Sequence, residues 1–293
     1  MQQPGVEGAS RPAGGLDASD AASRAVAFQA LLAAPGCLAL PSAWDAGTAR
    51  LLGGFGFPAL ETTSAGLAYG LGRPDGPGQV SRAETLANAA LILGATTLPV
   101  FADLEDGFGA EPEQVAETVR SAAAIGLAGG SIEDATGDPA RPLHAPEAAA
   151  ERIAAAAEAV RRLGRPFALT ARCEGLRHGL SLHAVITRLR RYAEAGADGV
   201  YAPGVTSLDQ VRAICAAVQR PLTVLTGSLG ATFGRQELEA AGARRMSLGS
   251  ALVRSTYGGL LRAAREVREQ GTCGFDRAAP SFAEVQAAMA GQA

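Results

Sequence analysis

The stretch Leu98–Gly109, LPVFADLEDGFG, joins a short apolar run to a loop that carries several carboxylates. The run Leu98–Asp103 is apolar without an alternating polar face, as in a parallel strand that is buried on both sides. Asp103, Glu105 and Asp106 follow at once, so the acids lie where this strand ends. This arrangement predicts an α/β fold in which polar groups gather at the carboxyl ends of buried parallel strands.

Similar apolar runs recur along the chain, and longer Ala-rich amphipathic segments separate them. The predicted strands are Cys37–Ala43, Ala59–Thr63, Leu98–Asp103, Gly129–Glu133, Phe167–Arg172, Gly199–Pro203, Leu222–Leu225 and Arg245–Leu248. The predicted helices are Ala46–Gly54, Arg82–Leu93, Pro112–Ile125, Pro146–Leu163, Leu182–Ala195, Leu208–Val218, Arg235–Ala241 and Ala251–Gln270. This number of strand–helix pairs favours a closed (β/α)8 barrel over an open doubly wound sheet, which usually has fewer strands.

Composition sets the boundaries of this barrel. Residues 1–20 are rich in Gly, Pro, Ala and Ser and are predicted to form a disordered leader, and residues 21–270 are predicted to form the catalytic barrel. The tail, residues 271–293, is predicted to hold a short helix after Pro280, with Ser281 as its cap. We expect this helix to pack on a neighbouring subunit.

The charge balance argues against a nucleic-acid partner, because a formal net charge of −3 gives no basic excess to neutralise phosphates. The four cysteines form no CxxC pair, so together with the three histidines they indicate neither a disulfide framework nor a zinc site. No apolar stretch of the sequence is long enough to span a bilayer, and the first residues do not form a signal peptide. We therefore expect a cytoplasmic protein without a membrane partner.

Polar residues collect where several predicted strands end, and the carboxyl ends of barrel strands form the rim that carries active sites. Asp103 and Glu105 follow the third strand, Glu133 ends the fourth and Arg172 ends the fifth. Converging carboxylates raise one another's pKa unless a cation lies among them, and hard oxygen donors favour Mg²⁺ or Mn²⁺. We therefore predict a metal held by Asp103, with Glu105 and Glu133 reaching its water shell. The alternative is that single acids cap the next helix or pair with Arg172.

Several other polar residues have two interpretations each. Arg172 can hold a substrate carboxylate in a bidentate clamp, or it can form a salt bridge at the rim. Trp44 follows the first strand, where it can line a pocket or pack in the core. His144 is a weak acid/base candidate in the loop after the fourth strand, whereas surface positions are expected for His178 and His183.

Two glycine-rich stretches do not predict a nucleotide site. Residues 54–59, GFGFPA, fit a dinucleotide pattern, but they precede a strand instead of following one. The segment Gly227–Gly230 follows the seventh strand, where barrels often bind phosphate. The chain contains no lysine at all, so we expect a turn without phosphate there.

Taken in order, these rim segments resemble the isocitrate lyase/phosphoenolpyruvate mutase superfamily. The segments that carry the resemblance are LPSAWD (residues 40–45), TTSAGL (62–67), GRPDG (72–76), ADLEDGFG (102–109), SIED (131–134) and ARCE (171–174). The resemblance runs from about Leu38 to Arg254 and covers nearly all of the predicted barrel.

The resemblance implies a barrel whose last helix is exchanged with a neighbouring subunit, in a homodimer or homotetramer. It also implies a Mg²⁺ site with Asp103 as the direct ligand and Glu105 and Glu133 farther out. Asp75 is similar to an aspartate near the reacting centre, and with Arg172 it is predicted to be catalytic. The residues that the resemblance assigns to substrate binding are Trp44, Ser64, Ala65, Gly66, Leu67 and Arg172.

The loop after the fourth strand departs from well-known members of that superfamily. Isocitrate and methylisocitrate lyases carry a Lys-Lys-Cys-Gly-His loop whose cysteine is the acid/base, whereas residues 134–144 read DATGDPARPLH. Cys173 follows the fifth strand and does not replace that cysteine. The lysine and asparagine that phosphoenolpyruvate mutase and phosphonopyruvate hydrolase use in this loop are absent, as is the histidine expected near Tyr201–Gly204.

The sequence as a whole therefore predicts a Mg²⁺-dependent lyase that cleaves a carbon–carbon bond in a small 2-hydroxy or 2-oxo (di)carboxylate through a metal-stabilised enolate. A hydrolase of C–C or C–P bonds, of the oxaloacetate or phosphonopyruvate type, is an alternative on the same scaffold. A non-catalytic barrel that binds oxo acids is an alternative of another class, and the missing loop cysteine keeps it open.

Overall fold

In the computed structural model, which describes residues 18–227 and 232–291, parallel strand segments form a closed barrel inside a layer of helices. The segments are β1 (Leu38–Leu40), β2 (Ser42–Ala43), β3 (Leu60–Thr62), β4 (Val100–Asp103), β5 (Gly129–Glu133), β6 (Ala168–Arg172), β7 (Gly199–Tyr201), β8 (Leu222–Leu225) and β9 (Arg245–Ser247). Each pairs in parallel with its neighbours, and the last, β9, pairs with β1. The predicted (β/α)8 barrel is confirmed.

The first predicted strand, Cys37–Ala43, is divided at Pro41. Proline has no N–H to donate to a neighbouring strand, so the ladder is interrupted there. β1 pairs with β9, whereas β2 pairs with β3 on the other side. The carbonyl of Pro41 still accepts from Glu61 N at 3.0 Å, so the two segments together close the barrel as one strand.

The helices follow the predicted order, with additions. They are α1 (Ala18–Ala33), α2 (Ala46–Gly53), α3 (Ser64–Gly70), α4 (Arg82–Ala95), α5 (Pro112–Ala124), α6 (Pro146–Arg161), α7 (Leu182–Glu194), α8 (Leu208–Val218), α9 (Arg235–Ala240), α10 (Ala251–Gln270) and α11 (Phe282–Met289). The sequence prediction missed α1 and α3. No helix in the described ranges is long and apolar enough to cross a membrane.

The two ends of the chain are described in part. Residues 1–17 of the predicted leader lie outside the described residues, and residues 18–20 belong to α1. The predicted tail helix is α11, and the Ser281 side chain caps it by accepting from Glu284 N at 3.2 Å. This helix packs on α2 of the same chain. Packing of the tail on a neighbouring subunit and exchange of the last barrel helix stay predictions.

The hydrophobic core lies between the strands and the surrounding helices. Val119 of α5, Leu189 of α7 and Ile214 of α8 are fully buried. They belong to one apolar cluster with Leu169 of β6 and Val224 of β8. Burial in this outer layer accounts for the alternation of apolar strands and amphipathic helices along the sequence.

The inside of the barrel is polar instead. Arg245 on β9 donates from Nη2 to Thr170 Oγ1 on β6 and from Nε to Thr223 Oγ1 on β8, both at 2.7 Å. Because β6 and β9 are not neighbours in the sheet, the first contact crosses the barrel interior. Glu61 of β3 and Ser131 of β5 are also buried and line the inner cavity. The strands are buried on both faces, as the sequence predicted. Their inner face also carries polar groups beside the cavity, which the sequence interpretation did not include, and it packs on α1 where Phe101 stacks on Phe28.

Candidate active site

The predicted site residues meet at the carboxyl end of the barrel, in two adjoining cavities. A cavity of about 310 Å³ runs down into the barrel and is lined by Asp103, Arg172, Asp75 and Ser64, among others. A second cavity of about 380 Å³ lies beside it, and Glu105, Glu133 and Asp106 line it. The acids thus gather at one rim, as the sequence predicted, but they are divided between two openings.

Asp103 ends β4 and is held in place by neighbouring donors. Its Oδ2 accepts from Ser64 Oγ at 2.8 Å and from Ser64 N at 3.3 Å, at the start of α3. Its Oδ1 accepts from Glu105 N at 3.2 Å. These contacts fix the carboxylate at the wall of the deeper cavity, where its orientation does not depend on a ligand.

Arg172 ends β6 and lies among three acids. Its Nε is 3.2 Å from Glu133 Oε2 and also donates to Glu174, and its Nη1 is 3.7 Å from Asp103 Oδ2. Burial lowers the pKa of this guanidinium, but the carboxylates outweigh burial and hold the pKa well above its ordinary value. Arg172 therefore stays charged and is the cation that the structure places between the acids. It forms the rim salt bridges and lines the cavity, whereas its clamp on a substrate carboxylate stays a prediction.

Glu105 and Glu133 carry the cost of this crowding. Burial, followed by the charges of Asp103 and Glu133, raises the pKa of Glu105 to about 9. Burial also raises the pKa of Glu133, although the nearby Arg172 opposes the shift. One arginine is thus insufficient to keep every acid of the rim ionised at neutral pH, and an additional cation would lower both pKa values.

The donor set fits a magnesium ion in one particular way. Within the part of the chain that the structure describes, no three His, Cys, Asp or Glu side chains lie close enough together to hold a metal ion. A cage built from protein ligands alone is therefore absent from this part. Mg²⁺ commonly binds through one or two carboxylates and keeps several waters. Asp103 as a single ligand, with Glu105 and Glu133 at water distance, is compatible with that mode.

The start of α3 offers fewer free N–H groups than the sequence predicted. The N–H of Gly66 donates to Thr63 Oγ1 at 3.4 Å, and the N–H of Leu67 donates to Thr63 O at 3.1 Å. Ser64 and Ala65 line the deeper cavity. Leu67 is buried in a small apolar cluster below them. Ser64 donates both its N–H and its hydroxyl proton to Asp103, so the predicted carboxylate contact would be left to the backbone N–H of Ala65 and stays a prediction.

Trp44 lies behind this helix. A Cβ added at Gly66 would be 2.5 Å from Trp44 Cβ, so the indole-bearing residue packs directly against the glycine. This contact favours packing as the role of Trp44, and it shows why the helix has a glycine at that position.

The loop after β5, residues 134–144, folds back on itself. Thr136 N donates to Pro142 O at 3.0 Å, and Ala135 and Leu143 form an isolated antiparallel bridge. Gly137 at its tip touches the Asp75 loop, because a Cβ there would be 2.7 Å from Pro77 Cβ. His144 is tied down by its backbone, with its N–H donating to Asp134 O at 2.9 Å. The glycine turn after β8 lies largely outside the described residues, which resume at residue 232.

The sequence prediction missed the polar groups of the cavity floor. Glu61, Tyr201 and Arg245 all line the deeper cavity, and Arg177 joins them near its mouth. Glu61 and Tyr201 each follow an apolar strand residue, whereas Arg245 follows Arg244 at the start of β9, so the sequence alone does not single out the three. In a barrel, every second strand residue points inward, so such positions face the cavity.

The comparisons with known proteins agree with this geometry. The model of the phosphoenolpyruvate phosphomutase family matches residues 28–268. A 2-methylisocitrate lyase of Salmonella typhimurium is 32% identical over 224 residues, which cover 73% of this chain and 75% of that protein. A crystal structure from Burkholderia cenocepacia, described as a lyase/mutase, has a TM-score of 0.89 and 48% identity and covers 92% of this chain and 96% of that one.

Oxaloacetate acetylhydrolase in complex with its product oxalate has a TM-score of 0.82 and 27% identity, with 92% of this chain and 94% of that chain covered. The family model spans most of the chain, and the resemblance seen in the rim segments is confirmed. The chain belongs to the phosphoenolpyruvate phosphomutase family, within the isocitrate lyase/phosphoenolpyruvate mutase superfamily.

Proposed function

We propose that the protein is a Mg²⁺-dependent lyase that cleaves a carbon–carbon bond in a small 2-hydroxy or 2-oxo dicarboxylate. The observation that carries the proposal is the rim itself: Arg172 lies within 4 Å of Asp103, Glu133 and Glu174, at the wall of a cavity that also exposes Ser64. A guanidinium and a set of acids around a small polar cavity suit a substrate with carboxylate and hydroxyl or oxo groups. The similarity to 2-methylisocitrate lyase supports the same reaction class.

Each residue has a role in this proposal. Asp103 would hold the magnesium ion, with Glu105 and Glu133 reaching its waters, and the ion would supply Lewis-acid stabilisation of the charge that develops on the substrate oxygen. Arg172 binds and orients a substrate carboxylate, helped by the N–H of Ala65, while the Ser64 hydroxyl holds Asp103 in place. Asp75 lines the same cavity from the loop between α3 and α4, where it can accept the proton of a substrate hydroxyl.

The test is a proton and phosphorus NMR time course with Mg²⁺, an EDTA control and a panel of acids. The panel holds isocitrate, methylisocitrate, dimethylmalate, oxaloacetate, phosphonopyruvate and phosphoenolpyruvate. Asp103→Ala is expected to lower turnover at least about 10³-fold, since several kcal/mol of charge stabilisation are lost. The matched control is Asp209→Ala, because Asp209 is 92% exposed on α8 and lines neither of the two cavities. Turnover that survives in Asp103→Ala, with the fold intact, would remove the metal assignment.

A hydrolase is the second candidate, and one observation favours it. The loop after β5 is closed on itself and carries no cysteine. This loop therefore differs from that of the lyases of the superfamily, whose cysteine is the acid/base. The similarity to oxaloacetate acetylhydrolase also supports this candidate. The same NMR panel separates the two, because a hydrolase incorporates ¹⁸O from labelled water into a product carboxylate. Oxo-acid binding without turnover of any panel member would favour the non-catalytic barrel.

A further inference from the structure

The floor of the deeper cavity holds a buried carboxyl group that the proposed mechanism has not used. Glu61 lies on β3, within the barrel, and only 6% of its surface is exposed. It lines the same cavity as Asp103 and Arg172. A carboxyl group that is costly to bury and yet faces a cavity is a candidate for chemistry.

The two oxygens of Glu61 have different surroundings. Oε1 accepts three hydrogen bonds: from Ser42 Oγ at 2.8 Å, from Ser247 Oγ at 2.6 Å and from Leu248 N at 3.3 Å. Oε2 has no hydrogen-bond partner among the described residues. It is also not among their fully buried polar atoms that lack a partner, so part of its surface is accessible. Oε2 is therefore open to the cavity, while Oε1 anchors the side chain in one orientation.

The charges around Glu61 come from three other strands. Arg245 of β9 lines the same floor, and its charge acts on Glu61 although the two form no direct ion pair among the described residues. Asp103 of β4 and the phenol of Tyr201 on β7 are the other titratable groups that act on Glu61 or feel its charge. Burial raises the pKa of Glu61, Asp103 adds to the shift, and Ser247, Ser42 and Arg245 oppose it. These surroundings favour the neutral acid, with its proton on the open oxygen.

We propose that Glu61 is the catalytic acid that protonates the carbon of the leaving enolate, in place of the missing loop cysteine. This inference rests on the proposed lyase function. When the carbon–carbon bond breaks, its electron pair passes into the enolate of the departing fragment. The enolate carbon then forms a C–H bond to the proton of Glu61 Oε2, and the O–H electron pair stays on Glu61 as a carboxylate. The hydroxyl proton of the substrate leaves separately to Asp75, so one proton is removed and one is delivered.

The structure also shows how Glu61 would carry the resulting charge. The three donors to Oε1 stabilise the carboxylate, and Arg245 is the nearby cation, buried and held by Thr170 and Thr223. Solvent then returns the proton through the open side of the cavity. Arg245 is thus a positioning and charge-balancing residue and does not itself touch the reacting carbon.

The experiment uses Glu61→Gln in the full chain. The amide oxygen keeps all three donors of Oε1, whereas the amide nitrogen on the cavity side cannot deliver a proton. We expect kcat to fall about 10²–10⁴-fold, the usual contribution of a positioned acid, with KM within about threefold of the wild type. The same Glu→Gln change at Glu113, which is 79% exposed on α5, is the control and should leave kcat unchanged.

A second readout does not depend on turnover. The infrared difference spectrum between wild type and Glu61→Gln at neutral pH is expected to contain the C=O stretch of one protonated carboxyl group. A spectrum without that band, or wild-type kcat in folded Glu61→Gln, would overturn the role of Glu61. If the wild type converts no acid on the panel, the lyase proposal fails instead, while the band still decides whether Glu61 holds a proton. If Glu61→Gln does not fold, Glu61→Asp, which keeps the acid but withdraws it by one methylene, must lower kcat for the proposal to stand.

Discussion

Arg172 and Arg152 are both buried arginines near the rim, yet their partners differ in kind. Arg172 is ion-paired with Asp103 at the end of β4, with Glu133 at the end of β5 and with Glu174, which follows β6. Arg152 of α6, whose side chain is 2% exposed, donates to the backbone carbonyls of Asp106, Gly109 and Ala110, and its carboxylate contact among the described residues, to Asp106 Oδ2, is long at 3.9 Å. The comparison shows two uses of a buried arginine at one rim: the first balances the charge of the cavity, and the second fixes the backbone of the loop that carries the acids.

The largest expected effect is a loss of catalytic activity when Arg172, and not Arg152, is the arginine replaced. Arg172→Met should lower kcat/KM about 10³-fold, because the loss of a buried, hydrogen-bonded charge costs about 2–5 kcal/mol and also removes the carboxylate contact. The measurement is steady-state kinetics on the substrate that the NMR panel identifies. Arg162→Met, at a position 78% exposed on the surface, is the matched control. Unchanged KM and kcat in Arg172→Met would show that the residue serves structure alone.

The next largest effect is a loss of folding stability when Arg152 is replaced. Arg152→Met should lower the free energy of unfolding by about 3–5 kcal/mol, since three carbonyls lose their donor in a buried place. Urea denaturation followed by circular dichroism measures this change. The same Arg162→Met protein is the reference, and a loss below about 1 kcal/mol in Arg152→Met would contradict the loop-holding role.

The smallest effect is a pH dependence of stability, which reports how far the charge of Arg172 falls short of neutralising the rim acids. The pKa of Glu105 is raised from 4.5 in the unfolded chain to about 9 in the native protein, so the native state binds the extra proton between these values. Unfolding free energy in the metal-free protein should therefore fall as pH rises through this window, by about 1–2 kcal/mol after solvent screening. Urea midpoints at a series of pH values measure the slope. Glu105→Gln should flatten it, and so should Mg²⁺; an unchanged slope in Glu105→Gln would assign it to other groups.

Much of the fold could be predicted because its signals are local. Apolar runs, the spacing between them and the residues that cap helices each depend on a few neighbours in sequence. The short helix α3 escaped prediction because Ser64–Gly70 is too short to show a 3.6-residue period. The division of the first strand at Pro41 depends on which strands lie on either side, and this is a property of the closed barrel.

The site divides along the same line. Asp103, Glu105, Glu133 and Arg172 could be found because strand ends converge in any parallel barrel. A salt bridge of Arg172 was one of two interpretations, and the sequence could not choose between them, because the distance to Glu133 depends on the register between β5 and β6. Glu61 was missed for another reason: a polar residue in a short buried strand does not show whether it points to the helices or to the barrel axis.

The polar interior of the barrel has a consequence for how this molecule can change. Stability resides in the apolar layer outside the strands, and the reacting groups reside inside them. Successive residues of one strand therefore have different roles, because one packs in the outer apolar layer and the next faces the cavity. A library that varies the inward positions of β3, β7 and β9 changes the cavity and leaves the apolar outer layer untouched, provided that buried groups such as Arg245 and its threonine partners are replaced together.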